Sequence, residues 1–224
     1  FRMNDDREVT CYALVTQHLA GQDVREAARA AWYAQRDVDD GCNLLATMQV
    51  EAGRFSPADV WKELRLSVEF NRPRAAKAAS ALIGSAAVPA VAELYDNPTR
   101  YLARKPAGAV GLGRQLSALA VMRLAATDPD AAARELDQPW ARDLPPDMAA
   151  STWSAVAKQS ALRLQPEAFA HYQRAFAAQR KCGEPAAWSD DTLAWAVRAA
   201  LRSAPTQPER WTLDWDTIEV FNDG

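Results

Sequence analysis

The chain has 224 residues, 49% of them hydrophobic and 25% charged, with a formal net charge of −3. That length suits one large domain or an array of small helical units, and the composition is that of an ordinary globular protein. The acidic balance argues against a nucleic-acid partner, which needs a concentrated basic surface, and no apolar run reaches the roughly 20 residues that span a bilayer.

Ala is abundant and Gly scarce, and Ala loses no side-chain entropy in a helix. Runs rich in Val, Ile and Thr are nearly absent, so the chain is read as all-α. The first helix is predicted over Glu8 to Ala20, with Val9, Tyr12, Ala13, Val15, Thr16 and Leu19 at helical spacing and Gly21 as the stop. Asp23 is the expected cap of a second helix through Gln35. A third runs from about Asp40 to Ala52 and ends at Gly53. Ser56-Pro57-Ala58-Asp59 opens a fourth, which continues to about Asn71: a Ser cap, Pro at the first helical position and an acid in the first turn.

Further helices are expected over Pro73 to Ile83, Val88 to Tyr95 and Pro98 to Arg104. The breakers from Pro106 to Gly111 mark a connection and a sub-boundary near 106–112. Then come Gly113 to Ala126, Asp128 to Leu136, Pro145 to Arg163, Pro166 to about Lys181 and Ser189 to Arg202. Pro205 and Pro208 break the chain before an acidic, amphipathic stretch from Trp211 to Phe221. About a dozen short helices follow, none able to bury its stripe alone, so neighbours must stack. An α-superhelix is the expected architecture of this single domain, and a compact helical bundle the alternative.

Tests for chemistry return little. His18 and His171 are far apart, with no paired spacing for a metal. Asp5-Asp6, Asp39-Asp40 and Asp190-Asp191 each precede a helix, where negative charge complements the helix dipole. Gly108 to Gly113 follows no strand and lacks a phosphate loop's Lys. Trp32, Trp61, Trp153 and Trp195 sit among Ala and Leu at core spacing. No catalytic, metal or cofactor residue is assigned. A basic stretch includes Arg100, Arg104, Lys105, Arg114 and Arg123, and reads first as a solvated face.

The ordered set Glu8-Val9-Thr10-Cys11-Tyr12-Ala13, Ala20-Gly21-Gln22, Ala31-Trp32-Tyr33, Gly41-Cys42-Asn43-Leu44-Leu45, Gly53-Arg54-Phe55 and Trp61-Lys62-Glu63-Leu64-Arg65-Leu66 resembles the helical superhelix of the soluble lytic murein transglycosylases. The match is strongest over residues 8 to 84; beyond, it rests on helix pattern and on Asp190-Asp191-Thr192-Leu193. The family's catalytic unit is a lysozyme-like domain marked by a Glu-Ser pair, and this chain contains no Glu-Ser dipeptide. The resemblance therefore implies a non-catalytic scaffold of an enzyme that cleaves the β-1,4 bond between N-acetylmuramic acid and N-acetylglucosamine, leaving 1,6-anhydro ends. It implies as partners peptidoglycan glycan strands and the protein's own catalytic domain. It implies a periplasmic location, with a signal peptide upstream of Phe1. It also implies a disulfide between Cys11 and Cys42, leaving Cys182 free; two buried thiols are the alternative. Arg100, Arg104 and Arg114 are the residues named for glycan contact. A cytosolic helical-repeat module that binds a protein partner is the competing function.

Overall fold

The computed structural model describes residues 6–104, 111–182 and 188–203. Among these, twelve α-helices and one 3-10 turn account for the regular structure, and there is no strand. The helices are α1 Arg7–Leu19, α2 Arg25–Tyr33, α3 Asp40–Glu51, α4 Pro57–Glu69, α5 Pro73–Ile83, α6 Ala87–Asp96, α7 Pro98–Arg104, α8 Leu112–Ala125, α9 Pro129–Leu136, α10 Pro146–Leu162, α11 Ala168–Gln179 and α12 Asp190–Ser203. The 3-10 turn Pro139–Asp143 lies between α9 and α10. The stretch Trp211 to Phe221 and most of the sub-boundary near 106–112 lie outside the described residues.

Local chemistry sets most helix starts. Asp6 accepts from the amides of Glu8 and Val9, Asp39 from Cys42, and Asp128 from Ala131. Ser56 and Asp59 form a reciprocal capping box in front of α4. The start of α2 departs from expectation. Its cap is Val24, which has no side chain to offer, while Asp23 accepts from the Arg25 amide one residue earlier. Four ends, those of α1, α3, α4 and α10, follow one pattern, with an amide two residues past the cap reaching back to close the last turn. Gly21 and Gly53 take the left-handed position there, and Asn71 and Leu164 take it after α4 and α10.

Successive helices pack together, and so do alternate ones. α1 lies on α3, α2 on α4, α3 on α5, α6 on α8, α8 on α10 and α10 on α12. This is an α-superhelix, stacked in chain order. α8 also touches α4, α7 and α9. From Leu116 to Met122 every side chain of α8 is buried, and Leu124 and Ala125 extend the run. A helix apolar on all sides belongs in the middle of a core, and α8 sits there. One core joins residues from Cys11 to Val156, including Leu102 on α7 and Leu116 on α8, and a smaller one joins α10, α11 and α12.

Ala carries the helix crossings. Ala28, Ala46, Ala76, Ala118, Ala120 and Ala157 are fully enclosed. Their small side chains let backbones approach, while Trp32, Leu45, Leu64, Leu94 and Leu119 fill the space between. Trp61 and Trp140 are also buried, and Trp153 and Trp195 are half-buried. The tightest approach is at Gly41, where a Cβ would stand 2.8 Å from the Glu8 carbonyl oxygen and 3.0 Å from the Tyr12 ring. Gly41→Ala is expected to lower the unfolding free energy by about 1–3 kcal/mol, measured by urea denaturation, because α1 and α3 must move apart.

Candidate functional site

A cleft of about 580 Å³ is built over α8, whose Met122 lies in its lining. Its walls are polar stripes at helical spacing. α4 contributes Asp59, Lys62, Arg65, Leu66 and Glu69, and α10 contributes Asp147, Ser151 and Ser154. α2 adds Glu26, Arg29 and Tyr33, and Cys182, Trp188 and Thr192 close the far side. The opposite stripe of α4, with Val60, Trp61, Leu64 and Val68, is in the core.

Nearly every charge in this cleft is matched. The Arg29 guanidinium reaches both oxygens of Asp59, with Nε–Oδ1 at 2.8 Å and Nη2–Oδ2 at 3.2 Å, and also pairs with Glu26. The Tyr33 hydroxyl donates to Asp59 Oδ1 at 3.1 Å, and the Ser56 amide and hydroxyl donate to Oδ2. Burial of Asp59 works against its charge, but the bonds from Arg29 and Ser56 outweigh this and hold its carboxyl below the ordinary value. Burial, then the Asp59 charge, raises the Tyr33 hydroxyl, which remains a donor. Across the cleft, Arg65 meets Asp147 at 3.0 Å. Burial pulls the Arg65 guanidinium down from its usual value, and Asp147 opposes the shift.

At the far end the Lys158 ammonium lies between Glu69 Oε1 at 3.2 Å and Asp191 Oδ2 at 2.7 Å. Glu69 Oε1 also accepts from the Ser189 hydroxyl at 2.9 Å and the Thr192 hydroxyl at 2.8 Å. This knot joins α4, α10 and the start of α12. Lys62 differs from its neighbours. Its ammonium sits 4.9 Å from the centre of the Tyr33 ring and forms no ion pair among the described residues.

The residues singled out in the sequence lie elsewhere. Cys11 and Cys42 form a disulfide that ties α1 to α3, with Cα atoms 4.9 Å apart. Asp39 is beside it, but as the cap of α3. Cys182 is a free, half-buried thiol just past α11, and burial raises its pKa. Arg100 pairs with Glu93 and Asp96, Arg104 with Glu93, and Arg114 with Asp143. Arg123 covers the Tyr95 ring and donates to Asn71. None of these arginines lines the cleft. His171 is buried, with Nδ1 3.2 Å from the Ser160 hydroxyl and its ring against Trp153. Burial first, and then Arg174, keeps its pKa below the ordinary value. The sequence reading gave no role to Glu69, Asp147 or Lys158, and it named Lys62 and Arg65 only within the family-like stretch Trp61 to Leu66. On α4 only the polar stripe Asp59, Lys62, Arg65 and Glu69 signals them, Asp147 and Lys158 belong to α10, and every solvent-facing helix shows such a stripe.

One buried acid stands apart from the cleft. Glu63 is 1% exposed, accepts from the Ser67 hydroxyl at 3.0 Å, and has no partner for its second oxygen. Burial raises its pKa from 4.5 to about 7. Below pH 4.5 it is protonated in both folded and unfolded chains and carries no penalty. As pH rises from 4.5 towards 7 the unfolded chain releases its proton first, so stability falls, and the loss is complete above 7. Glu63→Gln is expected to flatten that fall and add up to about 3 kcal/mol at pH 8, read from denaturation midpoints across pH.

No protein-family model and no curated protein matches the chain. Among solved structures it is similar to the lytic transglycosylase Slt of Pseudomonas aeruginosa, determined as an inactive mutant. The TM-score is 0.56 at 20% sequence identity, over 92% of this chain. The chain spans 39% of the length of that structure. At this identity the likeness shows the fold alone. It bears on the resemblance drawn from the sequence only at the level of an all-α fold.

Proposed function

We propose that this chain is a non-catalytic superhelical scaffold of a periplasmic peptidoglycan lytic transglycosylase. The observation that carries the reading is the order of the stack. The twelve described helices belong to a chain that is similar to the Slt structure over 92% of its length, at a TM-score of 0.56. The Cys11–Cys42 disulfide supports an oxidising compartment, since such bridges persist outside the reducing cytosol. The ion pairs in the cleft support a framework role, because Asp59, Glu69 and Asp147 are each engaged by a cation. A general acid or base faces its reacting group through a free carboxylate, whereas these three are committed to ion pairs. Glycan contact by Arg100, Arg104 and Arg114 is a secondary feature of this reading, since each is already ion-paired.

The test is sedimentation with purified sacculi, followed by mass analysis of the released material. The expected result is that the chain pellets with sacculi and releases no anhydro-muropeptides. Release of anhydro-muropeptides by the chain alone overturns the scaffold role. A chain that stays in the supernatant overturns the association with peptidoglycan and favours a helical module for protein partners.

A further inference from the structure

We propose that the turn between α4 and α5 is a pH-sensitive switch, in which the buried Glu63 carboxylate, once ionised, draws the Arg72 guanidinium off the Phe70 ring and pairs with it.

The geometry centres on Ser67, which is fully enclosed. Its hydroxyl donates to Glu63 Oε1 at 3.0 Å. Its carbonyl accepts from the Arg72 amide at 2.7 Å and from the Tyr95 hydroxyl at 3.0 Å. One residue therefore ties α4 to the cap of α5 and to α6. Glu63 lies one turn before Ser67, roughly 6 Å along α4. An extended arginine side chain anchored at the Ser67 carbonyl spans that distance. Two atoms of opposite charge are left over at this junction. Glu63 Oε2 and Arg72 Nη1 are both buried, and neither has a hydrogen-bond partner among the described residues. Such groups are costly apart, and each satisfies the other when they meet.

The setting seen here suits the neutral acid. Arg72 lies over the Phe70 ring at 4.7 Å, and an uncharged carboxyl offers nothing to draw it away. Burial keeps Glu63 protonated up to about 7, while the Ser67 bond and the Arg72 charge pull the other way. The other groups around it leave Arg72 as the cation that answers. Tyr33 on α2 and Tyr95 on α6 feel the Glu63 charge, but burial raises both hydroxyls and they stay neutral. Arg29 on α2 is held by Asp59 and Glu26. The buried residues of α5 and α8 carry no charge. Arg123 on α8 is engaged over the Tyr95 ring at 4.8 Å and on Asn71 Oδ1 at 3.0 Å. On α4 itself Asp59, Arg65 and Glu69 are ion-paired elsewhere, and Lys62 sits over Tyr33. Once Arg72 turns inward, Phe70 keeps only Lys158, at 5.6 Å, so the change reaches the face where α4 meets α10.

An NMR titration of the whole chain from about pH 5 to 9 tests this. The signals are the Glu63 carboxyl carbon, the Arg72 guanidinium nitrogens and the Phe70 ring protons. The expected result is one shared midpoint near 7 for all three. In Glu63→Gln the Arg72 and Phe70 signals should stay flat over the same range. In Arg72→Gln the Glu63 midpoint should rise by about one pH unit or more, because the charge that favours the carboxylate is gone. Arg72 or Phe70 signals that ignore the Glu63 midpoint in the wild type, or that still titrate in Glu63→Gln, overturn the inference. An unchanged Glu63 midpoint in Arg72→Gln does the same. Should Arg72→Gln fail to fold, the comparison of wild type with Glu63→Gln decides alone, since it leaves Arg72 in place.

Discussion

Replacing both Cys11 and Cys42 by alanine is expected to lower the unfolding free energy by about 3 to 4 kcal/mol. The bridge closes a sequence separation of 31 residues, which includes all of α2. Its effect falls mainly on the unfolded chain, which loses conformations when the two ends of that loop are joined. In the folded state both sulfurs are fully enclosed, where α1 and α3 approach most closely at Gly41. For a chain of this size the melting temperature should fall by roughly 10 °C. The denaturant slope should rise as well, because an unbridged unfolded chain exposes more surface. Wild-type protein treated with a reductant should match the variant. Alkylation before reduction should label Cys182 alone, and three cysteines afterwards. A variant within about 1 kcal/mol of wild type, at equal slope, would show that α1 and α3 are held by packing alone.

Lys158→Ala is expected to be about as damaging, at about 4 kcal/mol, for a different reason. The Lys158 side chain is only 9% exposed and that of Glu69 18%, so removing the ammonium leaves a carboxylate in a place with little water. The hydroxyls of Ser189 and Thr192 still donate to Glu69 but carry no charge. Asp191, 58% exposed, can turn to solvent, so the damage centres on Glu69. The pair is not in itself a large source of stability. Taking two charges out of water offsets most of their attraction, and the double variant Lys158→Met with Glu69→Leu should recover much of the loss. Hydrogen exchange gives the sharper readout. In Lys158→Ala the amides of α12 should lose protection before those of α8, because the knot is one of the links between α12 and the rest of the stack. Uniform loss across α8 and α12 would mean that the knot does not anchor the last helix.

The same comparison explains what was readable in advance. Helix starts at Asp6, Asp39, Ser56 and Asp128, and stops at Gly21 and Gly53, were legible because caps act over three or four residues. The helix expected over Gly113 to Ala126 is α8, Leu112–Ala125, but its place in the middle of the core was seen only in the structure. The errors are also local. Val24 caps α2 without a side-chain bond, and the turn Pro139–Asp143 is too short to show a period. Leu164 ends α10 in the left-handed conformation, where a glycine would be expected.

The basic stretch shows the limit of composition. Arg100, Arg104 and Arg114 lie in one basic stretch, yet each meets an acid, Asp96 and Glu93 close by in the chain and, for Arg114, Asp143 brought up by folding. The cleft shows it more strongly. Glu69 meets Lys158 across 89 residues, and Ser189 and Thr192 across 120 and 123. On α4 alone Asp59, Lys62, Arg65 and Glu69 look like any solvated face. Thus the sequence by itself determined an all-α chain of short, Ala-rich helices that must stack, since hydrogen bonding and capping are decided between near neighbours. The tertiary structure alone decided which polar stripes turn inward and which charges, among the described residues, are left without an ion pair. That depends on how the stack curves and on which distant charges it brings within Coulombic reach, and no local rule contains either quantity.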